Sequence, residues 1–523
     1  MTDLADIHSV ADIPRVQARE RPDAVAFWFE GRETTFRELD AMASQVANAL
    51  LAQGLKPGDR IGVLAKNIDD FFPLWLGAVK ARVTLAPVNW RLAPPEVAFI
   101  LKDAGAKLLF VGEDFGGVVD MIVGDLPDLK GLIQFEPGHP RWPDFRSWIA
   151  AYPATDPMLP ADAQDDVIQL YTSGTTGLPK GVQLTEANFQ TLFHCAIDAG
   201  WARYEAGQTN LSVMPLFHVA GTNCGLLATL QGVRNILTRE VNPTEIIERL
   251  QDQQVNYAFL APTIINMLLQ NPAIEGADFS RLQKIFYGAS PISEAVLRRA
   301  QDVFGCGFTQ LYGLTETIGA ATYLPPEDHA SERDKLRSCG KPWPGFEIRV
   351  LTPTGEVGKP GEVGEVQIRA RGVMKGYWNR PDATKEAICP EGWFSSGDAG
   401  YFDDEGYLYI YDRVKDMIVS GGENVYPAEV ENALFSHPAV ADAAVIGVPD
   451  ERWGEAVKGV VVLKPGAAAT ADDIIAHVRT RIAGYKAPKS IDFIDALPRN
   501  PSGKVLRREL RKPYWEGRER MVG

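Results

Sequence analysis

Cysteine is scarce in this chain. Only five cysteines occur among 523 residues, and no two of them form a Cys-x-x-Cys pair. They stand at Cys195, Cys224, Cys306, Cys339 and Cys389. An odd number of widely spaced cysteines argues against both a disulfide framework and a zinc site. The cysteine pattern therefore predicts a protein of a reducing compartment.

Long apolar runs are also missing, and no targeting segment is expected. No stretch of the chain approaches the roughly 20 apolar residues that cross a bilayer. The first residues include the acids Asp3 and Asp6, where a signal peptide would carry bases. We therefore expect a cytoplasmic protein without an integral membrane segment.

Positive charge is in short supply. Lysine and arginine number 53 against 68 aspartates and glutamates, which gives a formal net charge of −15. Since no strongly basic block interrupts this acidic background, a nucleic-acid partner is not expected. The exception is a C-terminal group of Arg507, Arg508, Arg511 and Lys512. We interpret it as a solvated helix face, with attraction of CoA or of a membrane as the alternative.

The composition that is present is typical of a globular protein, with 45% hydrophobic and 23% charged residues. A chain of 523 residues exceeds one ordinary core and predicts two or more domains. Strand-like and helix-like patterns alternate from residues 24–29 to residues 284–288, and Thr35 with Glu38 forms a capping box before a helix. This alternation predicts layered α/β architecture with largely parallel sheets.

The pattern changes from about residue 345. Short strands with Gly and Pro turns, such as 365–369 and 407–411, predict a smaller β-rich subdomain. A separate α+β unit is predicted after it, with helices at 427–435 and 471–482 and strands near 440–446 and 458–463.

Residues 171–181 are the most informative segment. They read Tyr-Thr-Ser-Gly-Thr-Thr-Gly-Leu-Pro-Lys-Gly and follow the apolar run 167–170. Glycines let backbone N–H groups approach an anion, hydroxyls add neutral donors, and the lysine adds a positive charge. A nucleoside triphosphate is therefore the expected ligand, and a flexible turn between two strands is the alternative.

The segment is not a Walker A loop. That loop has a glycine before its lysine and a Ser or Thr after it, whereas Pro179 precedes Lys180 here and Gly181 follows. A kinase, motor or GTPase of the Walker type is therefore not expected.

Further motifs follow in a fixed order. They are Pro-Leu-Phe-His at 215–218, Tyr-Gly-Ala-Ser-Pro at 287–291, Gln-Leu-Tyr-Gly-Leu-Thr-Glu-Thr at 310–317, Gly-Trp-Phe-Ser-Ser-Gly-Asp at 392–398, Asp-Arg-Val-Lys-Asp at 412–416 with Ser-Gly-Gly-Glu at 420–423, and Pro-Ser-Gly-Lys at 501–504. With the segment at 171–181 they resemble the signature of the adenylate-forming superfamily, which includes acyl-CoA synthetases, stand-alone adenylation enzymes and firefly-type luciferases.

The resemblance implies an architecture and a reaction. Residues 1–414 would form the adenylation domain, with the β-rich subdomain at about 345–414, and Lys415 would be the hinge to a small mobile C-terminal domain at 416–523. ATP would activate a carboxylic acid as an acyl-adenylate with release of pyrophosphate, and a thiol would then displace AMP. ATP, Mg²⁺ and CoA would be the cofactors and co-substrate, and a homodimer is expected because many relatives form one.

The resemblance also implies residue roles at the nucleotide. The phosphates would be held by Thr172, Ser173, Gly174, Thr175, Thr176 and Lys180. Thr315 would donate to the α-phosphate, and Glu316 would bind Mg²⁺. The adenosine would be bound by Gly288, Ala289, Ser290, Gln310, Tyr312, Gly313, Asp398 and Arg413, with Tyr312 stacked on adenine and Asp398 on the ribose. Many relatives carry His or Arg and then Thr before this aspartate, whereas Ser395 and Ser396 stand here.

Catalysis and acyl recognition are implied in the same way. Lys504 would reach the carboxylate and α-phosphate during adenylation. His218 would lie at the acyl pocket, with a catalytic role as the further possibility and simple packing as the alternative. The pocket would also include Val219, Gly221, Gly313 and Ile318, and CoA would meet Gly421, Gly422, Trp453, Lys486 and Lys489.

The predicted function is an ATP-dependent acid–CoA ligase. The segments 219–226 and 313–320 contain no Arg or Lys, so a fatty or other neutral-tailed acid is favoured because an unpaired buried charge is costly. An adenylation enzyme that loads a carrier protein and an aryl-acid–CoA ligase are the alternatives. A luciferase-like oxidative step also stays open, and a silent acyl-AMP-binding scaffold is disfavoured because Thr315, Glu316 and Lys504 are all present.

Overall fold

The structure is a computed structural model that describes residues 4–172, 179–198, 200, 202–205, 207–290, 292–413, 416–420, 423–450, 453–499 and 504–516. The strands are β1 (Val25–Phe29), β2 (Arg32–Thr35), β3 (Arg60–Leu64), β4 (Thr84–Pro87), β5 (Ala106–Val111), β6 (Gly131–Gln134), β7 (Asp166–Thr172), β8 (Lys180–Thr185), β9 (Thr209–Ser212), β10 (Arg234–Leu237), β11 (Tyr257–Phe259), β12 (Lys284–Gly288), β13 (Gly307–Tyr312), β14 (Thr322–Leu324), β15 (Lys341–Pro342), β16 (Glu347–Leu351), β17 (Gly364–Arg369), β18 (Gly376–Tyr377), β19 (Phe394–Phe402), β20 (Leu408–Arg413), β21 (Ile418–Ser420), β22 (Glu423–Val425), β23 (Val440–Asp450), β24 (Gly454–Leu463) and β25 (Ser490–Phe493). The helices are α1 (Asp12–Glu20), α2 (Phe36–Ala52), α3 (Phe71–Lys80), α4 (Pro94–Ala104), α5 (Gly116–Ile122), α6 (Phe145–Ala150), α7 (Glu186–Asp198), α8 (Val219–Leu230), α9 (Pro243–Asp252), α10 (Pro262–Gln270), α11 (Glu294–Phe304), α12 (Pro381–Ala387), α13 (Pro427–Phe435), α14 (Ala471–Arg479) and α15 (Arg507–Trp515).

Two large sheets form the first part of the chain. One has the order β15-β14-β13-β12-β11-β9-β10-β1-β2, and the other has the order β18-β8-β7-β4-β3-β5-β6. Both are parallel in the middle. The first sheet is antiparallel at both edges, at β13–β14–β15 and at β1–β2, whereas the second is antiparallel at β7–β8–β18 and stays parallel at its other edge, β5–β6. Parallel strands need helical crossovers, which cover the faces of the sheets. The prediction of layered α/β architecture is confirmed.

Helices α2 and α3 show how the layers lock together. The predicted capping box is confirmed, because Thr35 accepts from the backbone of Glu38 and the carboxylate of Glu38 accepts from the backbone of Thr35. Every residue of α3 is buried. A Cβ on Gly77 would lie 2.5 Å from the carbonyl oxygen of Ala43, so glycine is what allows the two helices to approach.

The rest of the chain builds two smaller sheets. Strands β16, β17, β19 and β20 form an antiparallel sheet, and β22, β21, β24 and β23 form another to which β25 adds in parallel. Helix α13 has the predicted bounds. Helix α14 ends at Arg479, three residues before the predicted end, where the backbone and hydroxyl of Thr480 both donate to His477 O. Within the described ranges, no helix is long and apolar enough to span a membrane.

An acid at the start of α7 fastens the N-terminal segment to the first domain. The carboxylate of Glu186 accepts from Ser9 Oγ at 2.8 Å and from Val10 N at 2.9 Å. Only 3% of Glu186 is exposed. Burial outweighs these hydrogen bonds and raises the pKa of Glu186 from 4.5 to about 7. The carboxyl group therefore opposes folding once the pH is high enough to ionise it.

Glu186→Gln tests this assignment. Because the folded-state pKa lies above the unfolded one, the stability that Glu186 contributes is present below about pH 4.5 and is lost as pH rises through about 7. The variant and the parent should therefore have similar thermal midpoints at low pH, and at pH 8 the variant should be more stable, by on the order of 3 kcal/mol. Thermal unfolding from low pH to pH 8 checks this. A parent that is the more stable of the two at pH 8 would mean that the hydrogen bonds outweigh burial.

Candidate active site

The base of the segment at 171–181 is an antiparallel pair. Strand β7 ends at Thr172, β8 begins at Lys180, and these two residues lie directly opposite each other. The chain therefore leaves the sheet at Thr172 and returns to it at Lys180, directly opposite. Ser173, Gly174, Thr175 and Thr176 lie outside the described residues, so their phosphate-binding role stays a prediction.

Glu316 lies next to this base. It belongs to the short turn Thr315–Thr317, in which Thr315 and Glu316 are each only 8% exposed. Its Oε1 accepts from Tyr377 OH at 2.9 Å and, more weakly, from Thr172 Oγ1 at 3.4 Å. In the described part of the chain no group donates to Oε2. One carboxylate oxygen is therefore held by hydroxyls while the other is left for a ligand.

This donor set can be compared with the needs of a metal ion. Among the described residues, no group of three or more His, Cys, Asp or Glu could hold a metal. Mg²⁺ is commonly held by one or two carboxylates together with substrate phosphates. The single oxygen of Glu316 fits an Mg²⁺ that arrives with a triphosphate.

Tyr377 is a residue of this site to which the sequence analysis gave no role. It lies in β18, which pairs with β8 on the side away from β7. Its ring centroid is 5.0 Å from Lys180 Nζ. The Gly-Tyr-Trp triplet at 376–378 was visible in the sequence as an aromatic pair in a Gly- and Pro-rich stretch. The strand on which it docks was not visible.

Tyr312 and Asp398, both predicted at the adenosine, are brought together by β13 and β19. Tyr312 OH donates to Asp398 Oδ2 at 2.8 Å. Burial first, and then the charge of Asp398, raises the pKa of Tyr312 well above 10, so the phenol stays protonated. Arg413 is paired with Asp398 across β19 and β20, and its side chain lies outside the described part.

The neighbours of Asp398 depart from the family pattern, and one of them has a defined contact. The hydroxyl of Ser396 donates to Val366 O at 2.6 Å and accepts from Asp398 N at 3.0 Å. Ser396 therefore fixes the backbone before Asp398.

Gly288 is the last residue of β12, and Ala289 and Ser290 follow it. A Cβ on Gly288 would lie 2.2 Å from Leu311 O, so glycine is needed for the close approach of β12 and β13. Ala289 has a φ of 68°, which is uncommon for a residue with a side chain. Gln310, on β13, has a buried Oε1 with no hydrogen-bond partner in the described chain. An unpaired buried acceptor beside a strained turn is consistent with a ligand site.

His218 immediately precedes α8. Its Nδ1 is buried and has no hydrogen-bond partner among the described residues. Burial lowers the pKa of His218 to about 4, so the imidazole is neutral at pH 7. A neutral ring with an unpaired nitrogen can exchange a hydrogen bond with a ligand, which agrees with a pocket position.

The two predicted walls of the acyl pocket are neighbours. Asn223 Nδ2 donates to Ile318 O at 2.7 Å, and a Cβ on Gly319 would lie 3.1 Å from Val219 Cγ2. Ile318 is fully buried with a φ of 53°, a strained value for a β-branched residue. Gly221 and Gly313 are required by packing, because a Cβ on either would lie 2.3 Å from backbone atoms, of Pro215 and Ala320 respectively.

Lys504 lies in the C-terminal unit, three residues before α15 and next to residues 500–503, which are outside the described part. The hinge position Lys415 and the predicted CoA contacts Gly421 and Gly422 are also outside it. Of the other predicted CoA contacts, Lys486 is paired with Glu429 at 2.7 Å, and Lys489 Nζ is 5.7 Å from the ring centroid of Trp453.

The interpretation of the basic C-terminal group as a solvated face is wrong for half of it. Arg507 pairs with Glu431 at 2.8 Å, and Arg511 pairs with Asp416 at 2.6 Å. Arg508 and Lys512 are exposed. The periodicity showed a basic helix, but the acids opposite Arg507 and Arg511 come from distant parts of the sequence.

Comparisons with known proteins agree with this geometry. The family model described as AMP-binding enzyme matches residues 14–378, and the AMP-binding enzyme C-terminal domain matches residues 429–504. A fatty acid–acyl-carrier-protein ligase of Streptomyces coeruleorubidus is 40% identical over 509 residues, 97% of this chain and 96% of that protein. A feruloyl-CoA synthase of Amycolatopsis sp is 36% identical over 502 residues, 96% of this chain and 98% of that protein. Among solved structures, an anthranilate CoA ligase in complex with anthranoyl-AMP superposes with a TM-score of 0.89 at 26% identity, covering 98% of this chain and 99% of that one.

These matches confirm the resemblance drawn from the motifs. They extend over almost the whole chain, and the relatives are adenylating enzymes that join an acid to a thiol. The chain belongs to the AMP-binding enzyme family and is an adenylate-forming acid–thiol ligase.

Proposed function

We propose that this protein is an ATP-dependent acid–CoA ligase acting on a fatty or other neutral-tailed carboxylic acid. The observation that carries the proposal is the group formed by Thr172, Lys180, Glu316 and Tyr377. It places a cation and a half-free carboxylate at the base of a Gly-, Ser- and Thr-rich turn. These are the groups that a triphosphate and its Mg²⁺ require.

The reaction has two displacements. A carboxylate oxygen of the acid attacks the α-phosphorus of ATP, and pyrophosphate leaves. The sulfur of CoA then attacks the acyl carbon, the thiol proton goes to solvent or a base, and AMP leaves. Two anions must meet in the first step, so cations and oriented dipoles contribute most to its rate. Lys180 would serve the departing pyrophosphate and Lys504 the attacking carboxylate.

Mg²⁺ would be held by Glu316 Oε2 and by phosphate oxygens, and it would neutralise charge on the phosphates. Residues 1–414 would form the adenylation domain and residues 416–523 the C-terminal domain, with Lys415 between them. The separation of the hydrophobic cores supports this division, because Ile418, Val457 and Ile474 belong to a core of their own. Rotation at Lys415 would let one cavity serve both displacements.

A neutral acyl tail is supported by the pocket walls. Helix α8 and residues 313–320 carry no Arg or Lys, and Val219 and Ile318 are buried there. An acid with a second carboxylate would leave a buried charge without a partner. Fatty acids and aryl acids both satisfy this condition.

Free CoA is the proposed acceptor, and a carrier-protein thiol is the second candidate because a relative is named for that acceptor. Trp453 is 36% exposed, Tyr485 is 43% exposed, and Lys489 lies over Trp453. Aromatic faces beside a lysine suit an adenine ring and a phosphate.

The direct test is product analysis by mass spectrometry. The protein is incubated with ATP, Mg²⁺ and a panel of alkanoic and aryl acids, with CoA in one series and a phosphopantetheinylated carrier protein in another. Acyl-CoA as the main product supports the proposal and identifies the acid. If the acyl group of acyl-AMP is transferred only to the carrier protein, the acceptor is a carrier protein and not CoA.

Lys504→Ala should separate the two displacements. Acyl-adenylate formation, measured by pyrophosphate exchange, should nearly disappear because the cation at the attacking carboxylate is lost. Thioester formation from supplied acyl-AMP should be largely preserved. Lys512→Ala is the matched control, since it removes an exposed lysine from the neighbouring helix. Equal loss in both half-reactions would remove the assigned role.

Lys489→Ala tests the acceptor site. Loss of a charged phosphate contact should raise the KM for CoA about tenfold with little change in kcat. Pyrophosphate exchange, which needs no CoA, should be unchanged. Lys464→Ala in the same unit is the control, because Lys464 donates to Pro438 O away from Trp453. An unchanged KM for CoA would mean that the nucleotide of CoA binds another surface.

A further inference from the structure

Glu316 and Lys180, two of the residues proposed at the phosphates, both contact the side chain of Tyr377. Tyr377 OH donates to Glu316 Oε1 at 2.9 Å, while its ring centroid lies 5.0 Å from Lys180 Nζ. The first contact turns the carboxylate. The second holds a flexible lysine stem near the ring face, where a cation is attracted by the π-electrons. Tyr377 therefore contacts the anionic and the cationic partner of the expected ligand at once.

The position of Tyr377 is fixed by its neighbours in a segment that we call the strap, Gly376–Arg380. Strand β18, at the start of the strap, pairs with β8, and Trp378 N donates to Gly181 O at 2.7 Å. These backbone contacts bind the strap to the start of β8, where Lys180 lies.

The strap is also linked to the end of β7. Arg380 Nη2 donates to Asp103 Oδ1 at 2.8 Å, and the hydroxyl of Tyr171 donates to Asp103 Oδ2 at 2.8 Å. Asp103 is thus shared between the strap and the residue before Thr172. The end of β7 and the start of β8 are thus both linked to the strap by hydrogen bonds. A shift of either strand end would move Tyr377.

We propose that Tyr377 is a positioning residue that sets the direction of the Glu316 carboxylate and the place of the Lys180 ammonium, so that Mg²⁺ and the triphosphate bind together. The inference rests on the proposed function. It adds a residue that acts through Glu316 and Lys180.

The physical reason is that the two oxygens of Glu316 have different partners, a hydroxyl for Oε1 and the metal for Oε2. A hydroxyl on Oε1 keeps that oxygen from the metal and leaves Oε2 in one direction. Without the hydroxyl, the carboxylate can rotate or bind a water. Metal binding must then also order the carboxylate, which weakens the affinity for the metal. Loss of an outer-shell hydrogen bond of this kind lowers metal affinity about 10- to 100-fold.

Two substitutions separate the two contacts. Tyr377→Phe removes the hydroxyl and keeps the ring, so the Mg²⁺ concentration for half-maximal ATP binding should rise about tenfold. ATP affinity without Mg²⁺ should be unchanged. Tyr377→Leu removes the ring as well and should also weaken Mg²⁺-free ATP binding, by about threefold. Titration calorimetry with ATP and Mg²⁺ measures both quantities without turnover.

Tyr407→Phe is the matched control. Tyr407 OH donates to Asp328 Oδ2 at 2.8 Å, and Lys335 Nζ lies 4.6 Å from its ring centroid, so it makes the same two kinds of contact elsewhere. Its loss should affect thermal stability only. A second readout is pyrophosphate exchange, in which excess Mg²⁺ should restore the kcat of Tyr377→Phe because only metal binding is weakened.

The outcomes distinguish this inference from the proposed function. If Tyr377→Phe titrates like the parent or like Tyr407→Phe, the positioning role is wrong while the ligase assignment stands. If excess Mg²⁺ fails to restore its kcat, Tyr377 acts through general distortion and the inference is also wrong. If the parent forms no acyl-AMP from any acid but binds ATP with Mg²⁺, the proposed function fails and the calorimetry still reports on Tyr377.

Discussion

The pairing of Thr172 with Lys180 across β7 and β8 is the constraint on which the site depends. It brings together the two ends of a segment rich in glycine and hydroxyl groups, where the parallel part of the sheet gives way to the antiparallel pair. Strand β18 then covers the free edge of β8. Because both edges of β8 are paired, Lys180 is held on a rigid strand, which is a more precise support than a loop.

Two residues with strained backbones and two closely packed glycines belong to the motifs of the candidate site. Ala289 and Ile318 have left-handed backbones, and each such residue costs on the order of 1 to 3 kcal/mol. Gly288 and Gly313 allow backbones to approach where any side chain would collide. The large buried core of the first domain supplies the stability that these conformations cost. Rigid walls follow, and they are what a binding site for a transient acyl-adenylate requires.

Two groups of positive charges in this chain have different surroundings. Arg507 and Arg511 are paired with Glu431 and Asp416 and hold the last helix to its unit. Lys180 has an aromatic ring as its described neighbour and stands beside a carboxylate that is half satisfied. Unlike an acid, the ring of Tyr377 does not neutralise the charge of Lys180, which suits the phosphate role proposed for this lysine.

The sequence by itself determined the family and the layered α/β architecture, and it supplied the residues that are proposed at the nucleotide. Local rules are sufficient for the capping box at Thr35, the bounds of α13 and the strand 284–288, because periodicity and turn chemistry act over a few residues. The motifs gave Glu316, Tyr312 and Asp398, and the fold brings the last two into contact.

Only the tertiary structure decided which residues serve those groups from outside their motifs. Tyr377 reaches Glu316 across 61 residues, and Arg380 reaches Asp103 across 277 residues. It also decided that Arg507 and Arg511 are paired while Arg508 is exposed. Strand order and helix docking fix these contacts. Hydrophobic periodicity tells which face of an element is buried, but it does not tell which distant strand will lie against that face.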